Sequence, residues 1–255
     1  MPASRDNCII LMVEAPVPER VDPKLAEAFG PERAVHIHLD LLQNVYRLVK
    51  GFGNALPILA YSKAPHHPDL TWLDTDDPGF LDTKGRPKEE KVQNVFRLAF
   101  NTGSKKALLL NHLSPGIRTE WIQQAFDAIT EKTVVLGPNK NGSAYLAGFT
   151  VSAQKLIEGC PLESKNAAEE ISDRARKAKL SVYMLPEAVS VESEETLRAW
   201  LETKDPVPTL FRKETAPEPS PERKRHQDEA RHGKRGARHA PPPQPSLPDT
   251  QEPRP

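Results

Sequence analysis

The sequence predicts an α/β fold with a three-layer, doubly wound and mostly parallel sheet, followed by a disordered tail. Short apolar runs alternate with longer segments whose apolar residues recur at helical spacing, which is the pattern of β-α-β units. The short runs are continuously apolar, as is typical of strands buried on both faces of a parallel sheet. The pattern stops after Leu210, and many of the 26 prolines lie beyond residue 205.

The first half of the chain opens with an apolar run and a well-marked helix. The run Cys8–Val13 is bounded by polar residues and a Pro-rich turn, so it predicts a buried strand. Asp22 is placed as the N-cap of the first helix, Pro23 as its first residue and Gly30 as its end. The elements expected next are a helix over 32–50, a strand over 56–61 and a short strand over 70–73.

The second half continues the alternation of helices and strands. Thr119 is expected to cap a helix that extends to Thr130, and Ser164 to cap a charged helix that extends to Ala178. The other expected elements are a helix over 88–100, strands over 106–111, 133–137, 144–151 and 180–185, a turn over 139–142 and a helix over 193–202. In sheets of this kind ligands bind beyond the carboxyl ends of the strands, which here are followed by residues 14–24, 111–116 and 138–145.

Composition places few limits on the partners of the protein. Lys plus Arg and Asp plus Glu each number 35, so the net charge indicates no particular partner. The two cysteines, Cys8 and Cys160, match no metal-binding spacing, which leaves two free thiols in a reducing compartment or a single disulfide. The apolar run at Cys8 is too short for a signal sequence or a membrane span, so a cytoplasmic location without a transmembrane segment is predicted.

The predicted domain boundary lies at residue 210. Residues 1–210 are expected to form the α/β domain, and residues 211–255 a disordered, Pro-rich and basic tail. The basic island around 223–226 lacks aromatic residues, so nucleic-acid binding is not supported. The segment 241–248 can adopt polyproline II and is a candidate for docking a protein partner, with a plain linker as the alternative.

Several segments resemble a bacterial glycosyltransferase-like family associated with radical-SAM and selenoprotein genes. The resemblance covers roughly residues 8–202 and is carried by A-P-V-P at 15–18, S-P at 114–115 and V-L-G-P-N-K-N-G-S-A-Y-L-A-G at 135–148. It implies the nucleotide-diphospho-sugar transferase fold, called GT-A, and a site for a nucleotide or nucleotide sugar. The family's phosphate-binding loop and metal-binding acids are expected at the ends of the strands.

The charged positions of the family motifs are changed in this chain. Glu14 and Asp22 stand where the family has lysines, and Lys24 is the remaining cation of that loop. Leu113 replaces the acid expected to bind the metal, and Asn141 replaces a second acid. Leucine offers no donor atom to a divalent cation, which prefers carboxylate oxygens. Arg86–Val92 stands at the position of a glycine-containing motif but has no glycine.

The resemblance therefore predicts a degenerate GT-A domain, non-catalytic and acting in binding or regulation. The alternative is a divergent glycosyltransferase or nucleotidyltransferase that works without the usual metal. No catalytic residue or metal ligand is assigned, no cofactor is expected, and Mg²⁺ or Mn²⁺ belongs only to an active enzyme. Candidate nucleotide-binding residues, as remnants of an ancestral site, are Pro16, Pro18, Lys24, His112, Ser114, Gly137, Pro138, Asn141, Gly142 and Tyr145.

Of the histidines, His112 has two possible interpretations. His112 neighbours the changed acid position and is interpreted as a packed polar residue, with a nitrogen ligand or general base as the alternative. His36 and His38 are two positions apart within a predicted helix, so they point to different sides of it and are interpreted as ordinary helix residues.

Overall fold

The computed structural model describes residues 6–76, 79–83 and 87–203, without the side chains of residues 88 and 89. The boundary predicted at residue 210, the basic island and the Pro-rich segment lie outside these residues, so the domain division stays a prediction. Among the helices of these ranges, none is both long enough and apolar enough to cross a membrane.

A seven-stranded sheet forms the centre of the described chain, with the order β3-β2-β1-β4-β6-β5-β7. Its strands are β1 (Asn7–Glu14), β2 (Leu56–Ser62), β3 (Leu81–Asp82), β4 (Lys106–Leu110), β5 (Thr133–Pro138), β6 (Ala144–Phe149) and β7 (Ser181–Met184). β6 runs antiparallel to both of its neighbours, β4 and β5, whereas the other four pairs are parallel. The mostly parallel sheet expected from the sequence is confirmed.

Six α-helices accompany the sheet: α1 (Pro23–Phe29), α2 (Pro31–Gly51), α3 (Lys88–Asn101), α4 (Thr119–Ala128), α5 (Ala167–Lys177) and α6 (Glu194–Thr203). The predicted boundaries of α1 are confirmed. The Asp22 side chain accepts a hydrogen bond from the Lys24 backbone N–H, and Gly30 ends the helix with a φ of 78°. Both features follow from local residue chemistry, because a carboxylate satisfies a free N–H and glycine tolerates positive φ.

Two apolar clusters on opposite faces of the sheet produce the three layers. On one face α2 and α4 contribute residues such as Leu42 and Phe126, and on the other α3 and α5 contribute Phe96 and Ile171. Alternate residues of β1 enter different clusters, since successive side chains of a strand point to opposite faces. A third cluster joins α1, the first half of α2 and α6 at one side of the sheet.

Three local predictions are wrong. Residues 70–73 form a turn, in which the Leu73 N–H donates to the Leu70 carbonyl at 2.8 Å, so their apolar character reflects burial and not strand pairing. α4 has Arg118 at its N-cap position, and Thr119 is already helical. Ser164 lies in a turn that precedes α5, because its carbonyl accepts from the Ala167 N–H, and Asn166 occupies the N-cap position.

The two cysteines are free thiols, in agreement with the first of the two interpretations of the sequence. Both are buried, and burial raises the pKa of Cys8 to about 12 and that of Cys160 to about 11. Since the thiolate is the reactive form, neither thiol is activated as a nucleophile.

Candidate functional site

A cavity of about 60 Å³ lies at the carboxyl ends of β1 and β4. It is lined by Met12 and Glu14 of β1, Val92 of α3, Asn111 and His112 after β4, and residues within 157–163. Two of the three segments predicted to form a site, 14–24 and 111–116, therefore contribute to one cavity. The third segment, 138–145, contributes no residue to its lining.

The two histidines His38 and His112 contact each other beside this cavity. His112 Nε2 lies 3.1 Å from His38 Nδ1, and His38 Nε2 lies 3.3 Å from the backbone oxygen of Glu14. A carbonyl oxygen only accepts, so His38 carries its proton on Nε2 when neutral, and its Nδ1 accepts from His112. Burial lowers the pKa of His38, with its contacts to Glu14 acting in the opposite direction. Burial thus favours the neutral form of His38, and one hydrogen bond joins the two rings.

Asn111 is one of the residues that line the cavity, and its side-chain amide is buried. Its Oδ1 accepts from the Leu113 backbone N–H at 3.0 Å, and the residue is only 4% exposed. Its Nδ2 is buried and has no hydrogen-bond partner within the described part of the chain. Leaving a buried donor without a hydrogen bond costs about 1–3 kcal/mol.

Glu14 is held by cations instead of facing the cavity as a free carboxylate. Its Oε1 accepts from Ser62 at 2.9 Å and lies 3.4 Å from Lys91 Nζ, while its Oε2 lies 3.5 Å from Arg20. Lys91 also donates to Ser62 at 2.6 Å and is 8% exposed. The acid that reverses the charge of the predicted phosphate loop is therefore balanced by basic residues from α3 and from the same loop.

Lys24, a second cation of the predicted phosphate loop besides Arg20, is held by protein partners. Its Nζ donates to Glu192 Oε1 at 2.7 Å and to the Glu163 carbonyl at 3.0 Å. The contact ties α1 to the segment before α6 and to the rim of the cavity.

Leu113, at the position of the expected metal-binding acid, is 1% exposed and packed in the third apolar cluster. Its neighbours there include Leu25 of α1, Leu41 of α2 and Leu197 of α6. The Leu113 carbonyl accepts from the Val191 N–H at 2.8 Å. This position is therefore part of the hydrophobic core.

The segment that best matches the expected family motif forms the β5–β6 hairpin and a buried polar network. Ser114 Oγ donates to Asn139 Oδ1 at 3.0 Å, and Asn139 Nδ2 donates to Ser143 Oγ at 2.9 Å. Ser143 in turn donates to Asn141 Oδ1, through Oγ at 2.7 Å and through its backbone N–H at 3.0 Å. Asn141 thus shapes the turn, and the network fixes the loop after β4 against the hairpin.

The glycines and the tyrosine of this motif are explained by close packing. A Cβ on Gly137 would lie 2.3 Å from the Tyr145 ring, and one on Gly142 would lie 2.0 Å from the Lys165 carbonyl oxygen. Gly142 also has a φ of 86°. The Tyr145 hydroxyl donates to the Pro186 carbonyl at 3.0 Å, and burial raises its pKa. Pro138 ends β5 beside a bulge.

The two prolines of the A-P-V-P segment lie in the loop between β1 and α1. Pro16 is half-buried, and Pro18 is exposed and begins a single 3-10 turn that extends to Arg20. Neither lines the cavity. Of the ten candidate residues, His112 lines the cavity and Lys24 reaches its rim, while Ser114 and the five residues between 137 and 145 belong to the hairpin region.

The sequence analysis assigned no role to three residues near this site, His38, Asn111 and Lys91, although Asn111 lies in the predicted segment 111–116. Lys91 lies in the segment Arg86–Val92, which was compared with a family motif, so the sequence did contain a signal for it. His38 contacts a residue 74 positions away, which no local pattern reports. In the described ranges, no group of three or more His, Cys, Asp or Glu side chains is placed to hold a metal ion.

Comparison with known proteins supports the fold. Residues 47–164 match the model of a family described as an uncharacterized protein conserved in bacteria, DUF2064. No curated protein matches the chain.

The solved structures that are similar to the chain include two described as transferases. A provisionally assigned nucleotide-diphospho-sugar transferase from Desulfovibrio desulfuricans G20 is 21% identical, with a TM-score of 0.66 over 89% of this chain and 96% of that one. A nucleotidyl transferase from Methanothermobacter thermautotrophicus is 14% identical, with a TM-score of 0.51 over 77% of this chain and 99% of that one. At such identities the likeness concerns the fold alone: this chain shares the α/β architecture of nucleotide-diphospho-sugar transferases.

Proposed function

We propose that this protein is a degenerate member of the glycosyltransferase-like group, a GT-A domain that binds a nucleotide or nucleotide sugar without metal-dependent transfer. The likeness to a provisionally assigned nucleotide-diphospho-sugar transferase supports the ligand class. In the proposal, binding serves a regulatory or carrier role. The cavity beyond β1 and β4 is the ligand site, in agreement with the location of ligands in doubly wound sheets.

The observation that carries the proposal is the packing of Leu113. A GT-A transferase uses its metal to neutralise the leaving diphosphate, which contributes several kcal/mol of transition-state stabilisation. Here the side chain at the expected ligand position is buried among leucines of three helices and has no donor atom. Supporting this, Lys24 is paired with Glu192, and Lys91 with Glu14, so two cations near the cavity are already neutralised.

A second candidate function is a metal-independent transferase, and the His38–His112 pair favours it. His112 lines the cavity, and its Nε2 is committed to His38. A histidine whose ring is oriented by a hydrogen bond to a second side chain, here His38, is typical of a general base. In this reading His112 accepts a proton from an acceptor hydroxyl.

Calorimetry with UDP-, GDP- and CDP-sugars, in Mn²⁺ and in EDTA, tests the proposal. We expect an affinity that does not change on chelation, and no release of nucleoside diphosphate or free sugar. Metal-dependent micromolar binding, or turnover that needs Mn²⁺, would contradict it.

The same panel of nucleotide sugars distinguishes the second candidate function from the first. Turnover that persists in EDTA, is lost in His112→Gln and is retained in His36→Gln would favour the metal-independent enzyme. His36 is the matched control because it is exposed on the same helix as His38.

A further inference from the structure

The outer edge of β7 offers backbone hydrogen-bonding groups to a further strand. β7 is the last strand of the sheet and pairs with β5 within the described residues. The N–H groups of Ser181 and Leu185 donate to the carbonyls of residues 132 and 136, both at 2.8 Å, so these two residues face β5. Because backbone groups alternate in direction along a strand, Val182 and Met184 direct their N–H and C=O groups away from the sheet.

The sequence of β7 does not protect this edge against pairing. Edge strands in natural proteins are commonly blocked by charged side chains, prolines or bulges. Residues 181–185, Ser-Val-Tyr-Met-Leu, contain no charged residue and no proline. Tyr183 and Met184 are 43% and 48% exposed. The strand at the other edge, β3, has only two residues and carries Asp82. The β7 edge is therefore the better suited of the two to receive a partner strand.

The backbone of β7 selects one register for pairing with a second copy of itself. The Leu180 N–H already donates to the Ala175 carbonyl at 2.9 Å, and Pro186 has no N–H. Within 180–186, this leaves Val182 and Met184 with both an outward donor and an outward acceptor. Two copies related by a twofold axis use both residues fully when Val182 of one lies opposite Met184 of the other. Each such pair exchanges two N–H···O bonds, so the two copies form four.

This register also brings complementary side chains together. Tyr183 lies opposite Tyr183 of the second copy in the closely spaced, non-hydrogen-bonded pair, where aromatic side chains contact each other. On the other face of the sheet, Val182, which packs against the cluster formed with α3 and α5, lies beside Met184 of the second copy. Counted along the strands, Lys179 comes opposite Glu187. Both are exposed, and neither has an ion-pair partner among the described residues.

We propose that two copies of this chain associate through their β7 edges, antiparallel and with Tyr183 at the twofold axis. The two seven-stranded sheets then form one continuous sheet. Such an interface is small, so we expect a transient dimer with a Kd in about the micromolar range. β6 and β5 separate this edge from the strands that form the cavity, so the inference does not depend on the proposed ligand binding.

Sedimentation velocity of the full chain, from low micromolar to submillimolar concentration, tests the association. We expect a reversible monomer–dimer equilibrium. Tyr183→Lys places two ammonium groups opposite each other and should weaken the dimer about tenfold or more. Val151→Lys is the matched control, since Val151 is 55% exposed and lies outside β7, and it should leave the dimer unchanged. A wild-type chain that is monomeric throughout, or equal effects of the two variants, would overturn the inference.

A charge exchange tests the register. Lys179→Glu or Glu187→Lys alone places like charges opposite each other at two symmetric positions and should weaken the dimer about two- to fivefold. The double variant restores opposite charges and should return to the wild-type dissociation constant. If the double variant dimerises as weakly as the single variants, the proposed register is wrong.

Cross-linking provides a test that does not require a stable dimer. The thiols of Tyr183→Cys would face each other in a pair whose Cα atoms are about 4.5 Å apart, which suits a disulfide. Ser181→Cys is the control, because position 181 lies opposite Leu185 of the second copy and not opposite itself. The native thiols of Cys8 and Cys160 are buried. Under mild oxidation we expect a covalent dimer from Tyr183→Cys alone. Absence of that dimer, or equal cross-linking of both variants, would contradict the inference.

Discussion

At the scale of single residues, the positions that match the expected family motif lie where the backbone packs closely. Gly137 lies directly against the Tyr145 ring, and Gly142 against the Lys165 carbonyl. Leu113, by contrast, is explained by its apolar neighbours. The residues that match the expected motif and those that depart from it therefore both have structural explanations in this chain.

Gly137→Ala should destabilise the protein by about 1–3 kcal/mol, because the new methyl would overlap the Tyr145 ring. The measurement is denaturant unfolding. Gly51→Ala is the control, since no atom lies within 4 Å of a Cβ at that helical position. It should be neutral or stabilise by up to about 1 kcal/mol. Equal effects of the two changes would refute the packing explanation.

Leu113→Asp should fail to create a metal site and should destabilise the fold by more than about 3 kcal/mol, since a carboxylate would be buried among leucines. Leu113→Met keeps the apolar volume and should cost less than about 1.5 kcal/mol. Unfolding curves of the two variants, recorded with and without Mn²⁺, measure their stability and any stabilisation by the metal. A variant Leu113→Asp that is stabilised by Mn²⁺ would show that a metal site remains accessible.

His38 should make folding stability depend on pH. Burial lowers its pKa in the folded state below the ordinary value of 6.5, so the unfolded chain binds the proton more strongly. Stability is then fully present above 6.5 and is lost as pH falls below that value. Denaturant midpoints measured from about pH 8 to pH 5 should fall less steeply in His38→Gln than in the wild type. His36→Gln, on the exposed side of α2, should retain the wild-type slope.

At the scale of elements, side chains join segments that are distant along the chain. Lys24 of α1 contacts Glu192 before α6, and Lys91 of α3 contacts Glu14 of β1. The β5–β6 hairpin is fixed to the loop after β4 by Ser114 and Asn139. These contacts position the two strand ends that form the cavity.

A double-mutant cycle on Lys24→Ala and Glu192→Ala should give a coupling free energy of about 0.5–1 kcal/mol. The value is modest because the two side chains are 30% and 20% exposed, and water screens the pair. Urea unfolding of the four proteins measures it. The pair Arg176–Asp173, exposed on α5 at 75% and 47%, is the control and should couple more weakly.

At the scale of the whole molecule, the described residues form three apolar clusters around the sheet. These clusters are formed by strands and helices between β1 and α6. The composition of residues 211–255 predicts that they add no apolar surface to these clusters.

Deletion of residues 211–255 should leave the melting temperature and the cooperativity of unfolding unchanged. The reason is that the tail has no periodic apolar residues with which to extend the core. Differential scanning calorimetry of the full chain and of residues 1–210 measures this. A large fall in melting temperature would show that the predicted boundary is wrong.

The sequence by itself determined the type and order of the elements. Continuous apolar runs, helical periodicity and the Asp22-Pro23 start and Gly30 end of α1 are local signals, because hydrogen bonding and burial within a segment decide them. It also located two of the three loops at the cavity. Local patterns failed at Leu70–Leu73, where burial without strand pairing gives the same apolar signal.

Only the tertiary structure decided which side chains meet. The strand order places β1 beside β4 and inserts the antiparallel β6 between β4 and β5, and no local pattern encodes that arrangement. His38 thereby meets His112, Lys91 meets Glu14, and Leu113 enters the core. The physical reason is that these contacts join residues far apart in sequence, so they depend on how helices and strands pack. The unpaired Asn111 donor could be recognised only in that packed arrangement.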